Sequence, residues 1–84
     1  MAKAKTKTVV IRPLLIAARK KAKLTRAQLA DKANIDRTYL FLLEHNKRLG
    51  DLKVWRKIQE ALSLKDNEVW SIINTTKRVN RKDL

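Results

Sequence analysis

The side chains best equipped to do chemistry in this sequence are its cations. Lys and Arg number 21 against 8 Asp and Glu, a formal net charge of +13 at pH 7. That excess exceeds ordinary solubility needs and points to a polyanionic partner. Charge alone fits DNA, RNA or an anionic lipid surface equally well. Other chemistries are poorly supplied. There is no cysteine, and His45 is the single histidine. Disulfides and thiolate metal sites are therefore out, and zinc lacks its usual set of His and Cys ligands. No paired-carboxylate geometry or activated nucleophile emerges, and Ser63 and Ser71 read as ordinary helix-edge residues. Neither an enzyme nor a cofactor is expected.

The cations are unevenly placed. Lys3, Lys5 and Lys7 alternate with small or polar residues, in a stretch with little apolar surface to drive ordering. Residues 1–11 thus read as a flexible basic arm, either a solubilising tail or a segment that lies along a phosphate backbone or in a minor groove. Residues 75–84 form a polar, basic tail expected to fray. No apolar run approaches the ~18 residues of a membrane span, and no cleavable signal pattern follows the basic start. A cytoplasmic location in a prokaryotic cell or phage-infected host is expected, although basic residues alone leave a nuclear one open.

Between arm and tail, residues 12–74 must position whatever these cations do. An 84-residue chain allows one domain. Pro13 suits a first helical turn, and Leu14, Leu15 and Ala18 then recur at helical spacing to about residue 22. Thr25 with Gln28 makes a capping box for a short helix over 27–33, with Leu29, Ala30 and Ala33 inward. Asn34 tolerates the left-handed conformation that a sharp turn needs. Asp36 caps the next helix, which runs to about Glu44 with Leu40 and Leu43 on one face. A loop over 46–50 leads to Asp51, the cap of a fourth helix striped by Leu52, Trp55, Ile58, Ala61 and Leu62. Asp66 is the candidate cap of a fifth, carrying Val69, Trp70, Ile72 and Ile73. No segment alternates long enough to suggest a sheet; Val9 to Ile11 is β-prone, but three residues cannot form one alone. The fold class expected is all-α, a compact five-helix bundle. Trp55 and Trp70 read mainly as core residues, with a dimer contact through the fifth helix as the alternative.

Residues 24–44 hold two capped short helices joined by a tight turn, with Ala30 and Ala33 small enough for a close crossing. That geometry sets the second helix proud of the domain, able to enter a major groove about 12 Å wide. The stretch resembles the helix-turn-helix proteins of the phage Cro and cI repressor type, the XRE family. The matching residues are Leu24-Thr25-Arg26, Leu29-Ala30, Ala33-Asn34-Ile35, and Leu40 through Leu43-Glu44. Lys47-Arg48 fit that family's basic loop, and Leu52 to Leu62 with Glu68-Val69 fit its last two helices. The likeness covers about residues 12–74 and implies a lambda-repressor-like fold. It also implies a sequence-specific DNA-binding transcriptional regulator, more readily a repressor than an activator. The partners implied are double-stranded DNA with a palindromic operator and a second copy of the chain.

The resemblance also distributes roles. Arg19 and Glu44 match a structural ion pair between the first and third helices; the competing reading is an ordinary surface pair. Arg37 can donate two hydrogen bonds to guanine O6 and N7, or contact phosphate instead. Thr38 offers a hydroxyl to a base or a methyl to thymine, or is simply solvated. Tyr39 reaches phosphate or packs over the turn. Arg26 and Gln28, at the N-terminus of the second helix, and Asn46, Lys47 and Arg48 in the loop are the remaining phosphate-contact candidates. His45 reads as a loop residue. Phe41 and Leu42 depart from the family, which carries polar residues there, and at 100° per residue they cannot both turn inward with Leu40 and Leu43. Three accounts compete for them: contact with thymine methyls, burial against the arm or tail, or a protein-binding patch. The last underlies an alternative function, a helix-turn-helix protein-interaction module such as an antitoxin or accessory phage factor. An RNA-binding role lacks the aromatic-bearing strands of a sheet platform.

Overall fold

The computed structural model describes residues 8–81, so Lys3, Lys5 and Lys7 lie outside the described residues. Five helices follow a short strand: β1 (Thr8–Ile11), α1 (Pro13–Lys21), α2 (Arg26–Ala33), α3 (Arg37–Glu44), α4 (Leu52–Leu62) and α5 (Asp66–Asn74). A second strand, β2 (Lys77–Asn80), closes the order.

The local signals act where their chemistry demands. Thr25 accepts from the Gln28 backbone N–H at 3.1 Å while Gln28 Oε1 accepts from Thr25 N–H at 2.8 Å, a complete capping box. Asn34 is left-handed (φ 56°, ψ 49°), its N–H bonded back into α2, and it turns the chain within two residues toward the Asp36 cap of α3. Asp51 Oδ1 caps α4 through Val54 N–H at 2.9 Å. One cap differs from expectation: Lys65 occupies the N-cap of α5 and Asp66 is its first helical residue. Glu68 Oε1 accepts from Lys65 N–H at 2.8 Å, and Asp66 Oδ1 is used by Gln59 Nε2 at 2.7 Å.

One core is built from Leu15 of α1, Leu29, Ala30 and Ala33 of α2, Leu40 and Leu43 of α3, Trp55, Ile58 and Ala61 of α4, and Ile72 of α5. Each fully buried Leu or Ile contributes roughly 1.5–3 kcal/mol. The two alanines on α2 let it lie close to its neighbours α3 and α4. Among the described residues no helix is long and apolar enough to cross a membrane.

Both chain ends correct the sequence reading. Residues 8–11 are not arm and residues 77–80 are not frayed tail. They pair antiparallel in the register Thr8↔Asn80, Val9↔Val79, Val10↔Arg78 and Ile11↔Lys77. Val9 to Ile11 finds its partner at the opposite terminus. The ribbon is rooted by Ile11, which is buried; a bare two-stranded ribbon would be marginal in water.

Gly50, between α3 and α4, has φ +75°. A Cβ there would meet Trp55 Nε1 at 2.8 Å and Leu43 Cδ2 at 3.0 Å. The indole is fixed by its own bond to Leu49 O at 2.9 Å. Gly50→Ala is therefore expected to cost about 2 kcal/mol, combining the left-handed penalty with displacement of Trp55. A lower urea midpoint at unchanged slope is the signature.

Candidate nucleic-acid interface

Helix α3 has two unlike faces. Leu40, Leu43 and Glu44 point inward and are fully buried, whereas Arg37, Thr38 and Phe41 are exposed. At 100° per residue these three fall within one arc, with half-buried Leu42 at its edge. Asp36 Oδ1 accepts from Thr38 N–H at 3.2 Å, which fixes the turn that carries Arg37 and Thr38.

The far end of α3 is held by three arginines. A helix leaves its last four carbonyls without intrahelical partners, and here each has a donor. Phe41 O accepts from His45 N at 3.0 Å, Leu42 O from Lys47 N at 2.8 Å, and Leu43 O from Asn46 N at 3.2 Å. Arg12 adds its Nη1 to Leu43 O at 2.7 Å, and its backbone N–H donates to Glu44 O at 2.8 Å. The same Nη1 reaches Arg48 O at 3.0 Å, and the guanidinium carbon lies 5.4 Å from the Trp55 ring centroid. Arg12 is 1% exposed. Among the described residues it has no carboxylate partner, and its Nε has no acceptor. Burial lowers its pKa from the usual arginine value, yet an arginine starts too high to lose its proton at neutral pH. Carbonyls at the negative end of the helix dipole and the face of an indole stabilise the charge instead.

The Glu44 carboxylate is shared. Arg19 Nε donates to Oε2 at 2.8 Å and Arg26 Nε to Oε1 at 3.0 Å. Arg19 also donates from Nη1 to Leu24 O at 3.1 Å, tying down the turn before α2. The carboxylate and Arg19 are buried, while the Arg26 side chain is 36% exposed.

The other sequence-derived candidates fall into place around this frame. Arg26 was expected as a solvent-facing phosphate contact; in the structure its Nε belongs to Glu44, and its guanidinium lies 5.0 Å from the Phe41 ring centroid. Phe41 also stacks on His45 at 4.1 Å. Its cover thus comes from Arg26 and His45. Tyr39 is half-buried against the core. Gln28 is exposed, with its amide oxygen taken by the capping box. Asn46 is left-handed at φ 54° and exposed, as are Lys47 and Arg48 beside it. Arg12 was missed altogether: an arginine between Ile11 and Pro13 reads as a break in an apolar run. Trp55 is core, but Trp70 is not. It is 64% exposed, next to Leu49 and Leu52 at 78% and 70%. With Trp55, Val69 and Ile73 these line a groove of about 530 Å³. No cluster of His, Cys, Asp or Glu able to hold a metal occurs among the described residues.

A family model described as helix-turn-helix matches residues 15–69, more than half of the chain. The chain belongs to the helix-turn-helix family. Two solved structures share the fold of this helix-turn-helix protein. The restriction-modification controller protein C.AhdI from Aeromonas hydrophila superposes with a TM-score of 0.66 at 26% identity, covering 69% of this chain and 88% of its own. The wild-type restriction-modification controller protein C.Esp1396I gives 0.64 at 27% identity, covering 74% and 80% respectively. No curated protein matches the chain. The matched span contains α2, the turn at Asn34 and α3, the stretch on which the resemblance to Cro and cI repressors rests.

Proposed function

We propose that this helix-turn-helix protein regulates transcription by binding a specific operator in duplex DNA, with α3 in the major groove and no chemical step. The observation that carries this reading is the asymmetry of α3. Its inner face is locked by the core and three arginines, and its outer face offers Arg37 and Thr38 on a rigid first turn. A rigidly held rod of this diameter suits the major groove, where all four base pairs are distinguishable. Arg37 reads guanine and Thr38 an adjacent base. Lys47 and Arg48, with Gln28 and Asn46, grip phosphates and set register. Tyr39 is too enclosed to lead and supports the turn, while Arg26 contributes to the backbone grip only through its exposed portion. Phe41, partly covered by its neighbours, is better suited to a thymine methyl than to a protein partner, and Leu42 borders the same contact. Repression follows when the bound operator overlaps a promoter.

The groove of Leu49, Leu52 and Trp70 is where a second copy would dock. Two α3 helices would then lie one DNA turn apart, ~34–36 Å, and the operator would be a palindrome. C.AhdI and C.Esp1396I are controller proteins of restriction-modification systems, and control of such a system is one setting in which this chain would act.

Selection from a random duplex pool tests the reading. A two-half-site consensus is expected, bound more tightly than a scrambled duplex at the same salt; a ratio near one for every sequence would end it. On the consensus, Arg37→Ala should relax preference at one position, at ~1–3 kcal/mol, whereas Lys47→Ala should weaken all duplexes alike and lower the salt slope by ~1.

A further inference from the structure

We infer that the β1–β2 ribbon is a second DNA-contacting element, a phosphate clamp beside α3; this rests on the DNA-binding reading above. Lys77, Arg78 and Arg81 are all exposed, and residues 75–81 contain no acidic residue. Among the described residues none of the three has an ion-pair partner. Their exposure leaves them no role in the core; alternation along β2 sends Lys77 and Arg78 to opposite faces of the ribbon, so one of the two, with Arg81 beyond the strand end, would meet a given backbone.

The second observation is where the ribbon is fastened. Arg12 follows β1 directly, and its buried guanidinium grips the carbonyls of Leu43 and Arg48. The ribbon root is thereby tied to the end of the recognition helix and to the basic loop carrying Lys47 and Arg48. A four-residue antiparallel strand is ~13 Å long at ~3.4 Å per residue, and one DNA strand carries a phosphate every ~3.4 Å of axis. The ribbon therefore extends the cationic surface of the loop over further phosphates. It adds affinity and no base discrimination. The competing role for such charges is to keep strand edges from pairing with other chains.

Salt titration separates the two. The probes are the duplex selected by the wild-type protein, the same duplex trimmed to its half-sites, and a scrambled duplex. K77Q/R78Q/R81Q should flatten the plot of log affinity against log salt by up to about 1.8, at roughly 0.9 per phosphate, because only one of Lys77 and Arg78 can face the backbone that Arg81 meets. The ratio of selected to scrambled affinity should stay unchanged, and K77R/R78K/R81K should retain the slope. Trimming the flanks should bring the wild-type protein down to the triple variant. If circular dichroism shows the triple variant unfolded, R81Q, beyond the end of β2, should still lower the slope by about 0.9. An unaltered slope in a folded variant leaves the charges as edge protection and overturns the clamp. Absence of any preferred duplex for the wild-type protein would instead overturn base reading by α3, while a lowered slope on scrambled DNA would still support the clamp.

Discussion

Glu44→Leu should destabilise the domain by ~3–5 kcal/mol, the cost of leaving a buried charge without its partner. The carboxylate has two cations on it, and they are not equivalent. Arg26 is partly exposed and can swing its guanidinium into water once released. Arg19 cannot: its side chain is only 10% exposed. The expected loss is a large share of the ~5–15 kcal/mol that holds an ordinary domain, so chemical denaturation of the variant should begin in little or no denaturant. Adding Arg19→Leu should recover much of the loss, because an apolar pair of similar volume often matches a buried ion pair. Adding Arg26→Leu instead should recover little. Additive losses in the first double variant would mean that Arg19 and Glu44 act independently. The pattern across the two double variants is the reading that matters, measured by urea midpoints.

Arg12→Ala is the second large effect. The substitution removes two hydrogen bonds from a charged donor, each worth ~1.5–3 kcal/mol net, and opens space against Trp55. It also relieves the desolvation of a cation, which offsets part of the loss. The balance expected is about 3 kcal/mol of destabilisation. Its position gives it a further signature. Amide exchange in His45, Asn46 and Lys47, whose N–H groups close the end of α3, should quicken more than exchange in α4. DNA affinity of the folded protein should fall for selected and scrambled duplexes together, since loop and ribbon share this anchor. A variant with normal exchange at the end of α3 would show that Arg12 only fills space.

The parts of the fold that were legible in the sequence are those set by local chemistry. Thr25, Asp36 and Asp51 sit where a side-chain oxygen is needed to satisfy a helix N-terminus, and Leu29, Leu40, Leu43, Trp55 and Ile58 follow a helical period. The ribbon was not legible, because its partner strand, Lys77-Arg78-Val79-Asn80, carries one apolar residue and pairs with a segment at the other end of the chain. Its one signal was the Val9-Val10-Ile11 run, too short to stand alone. Arg12 illustrates the same limit differently. Its burial depends on carbonyls at the end of α3 and on the Trp55 ring, neither adjacent in sequence, so nothing beside it in the chain signals that role. Arg26 divided between expectation and outcome: it lies at the start of α2 as anticipated, but the Glu44 carboxylate had room for two cations. Trp70 went the other way, because a helical stripe cannot distinguish a face turned to the core from one left exposed.

Guanine N7 faces only the major groove, which makes methylation protection on the selected operator the most direct test of α3 as the reading element. The wild-type protein should shield one guanine in each half-site, and Arg37→Ala should restore its methylation while the surrounding backbone stays protected from cleavage. Full backbone protection with every guanine N7 still open to methylation by the wild-type protein would contradict the account.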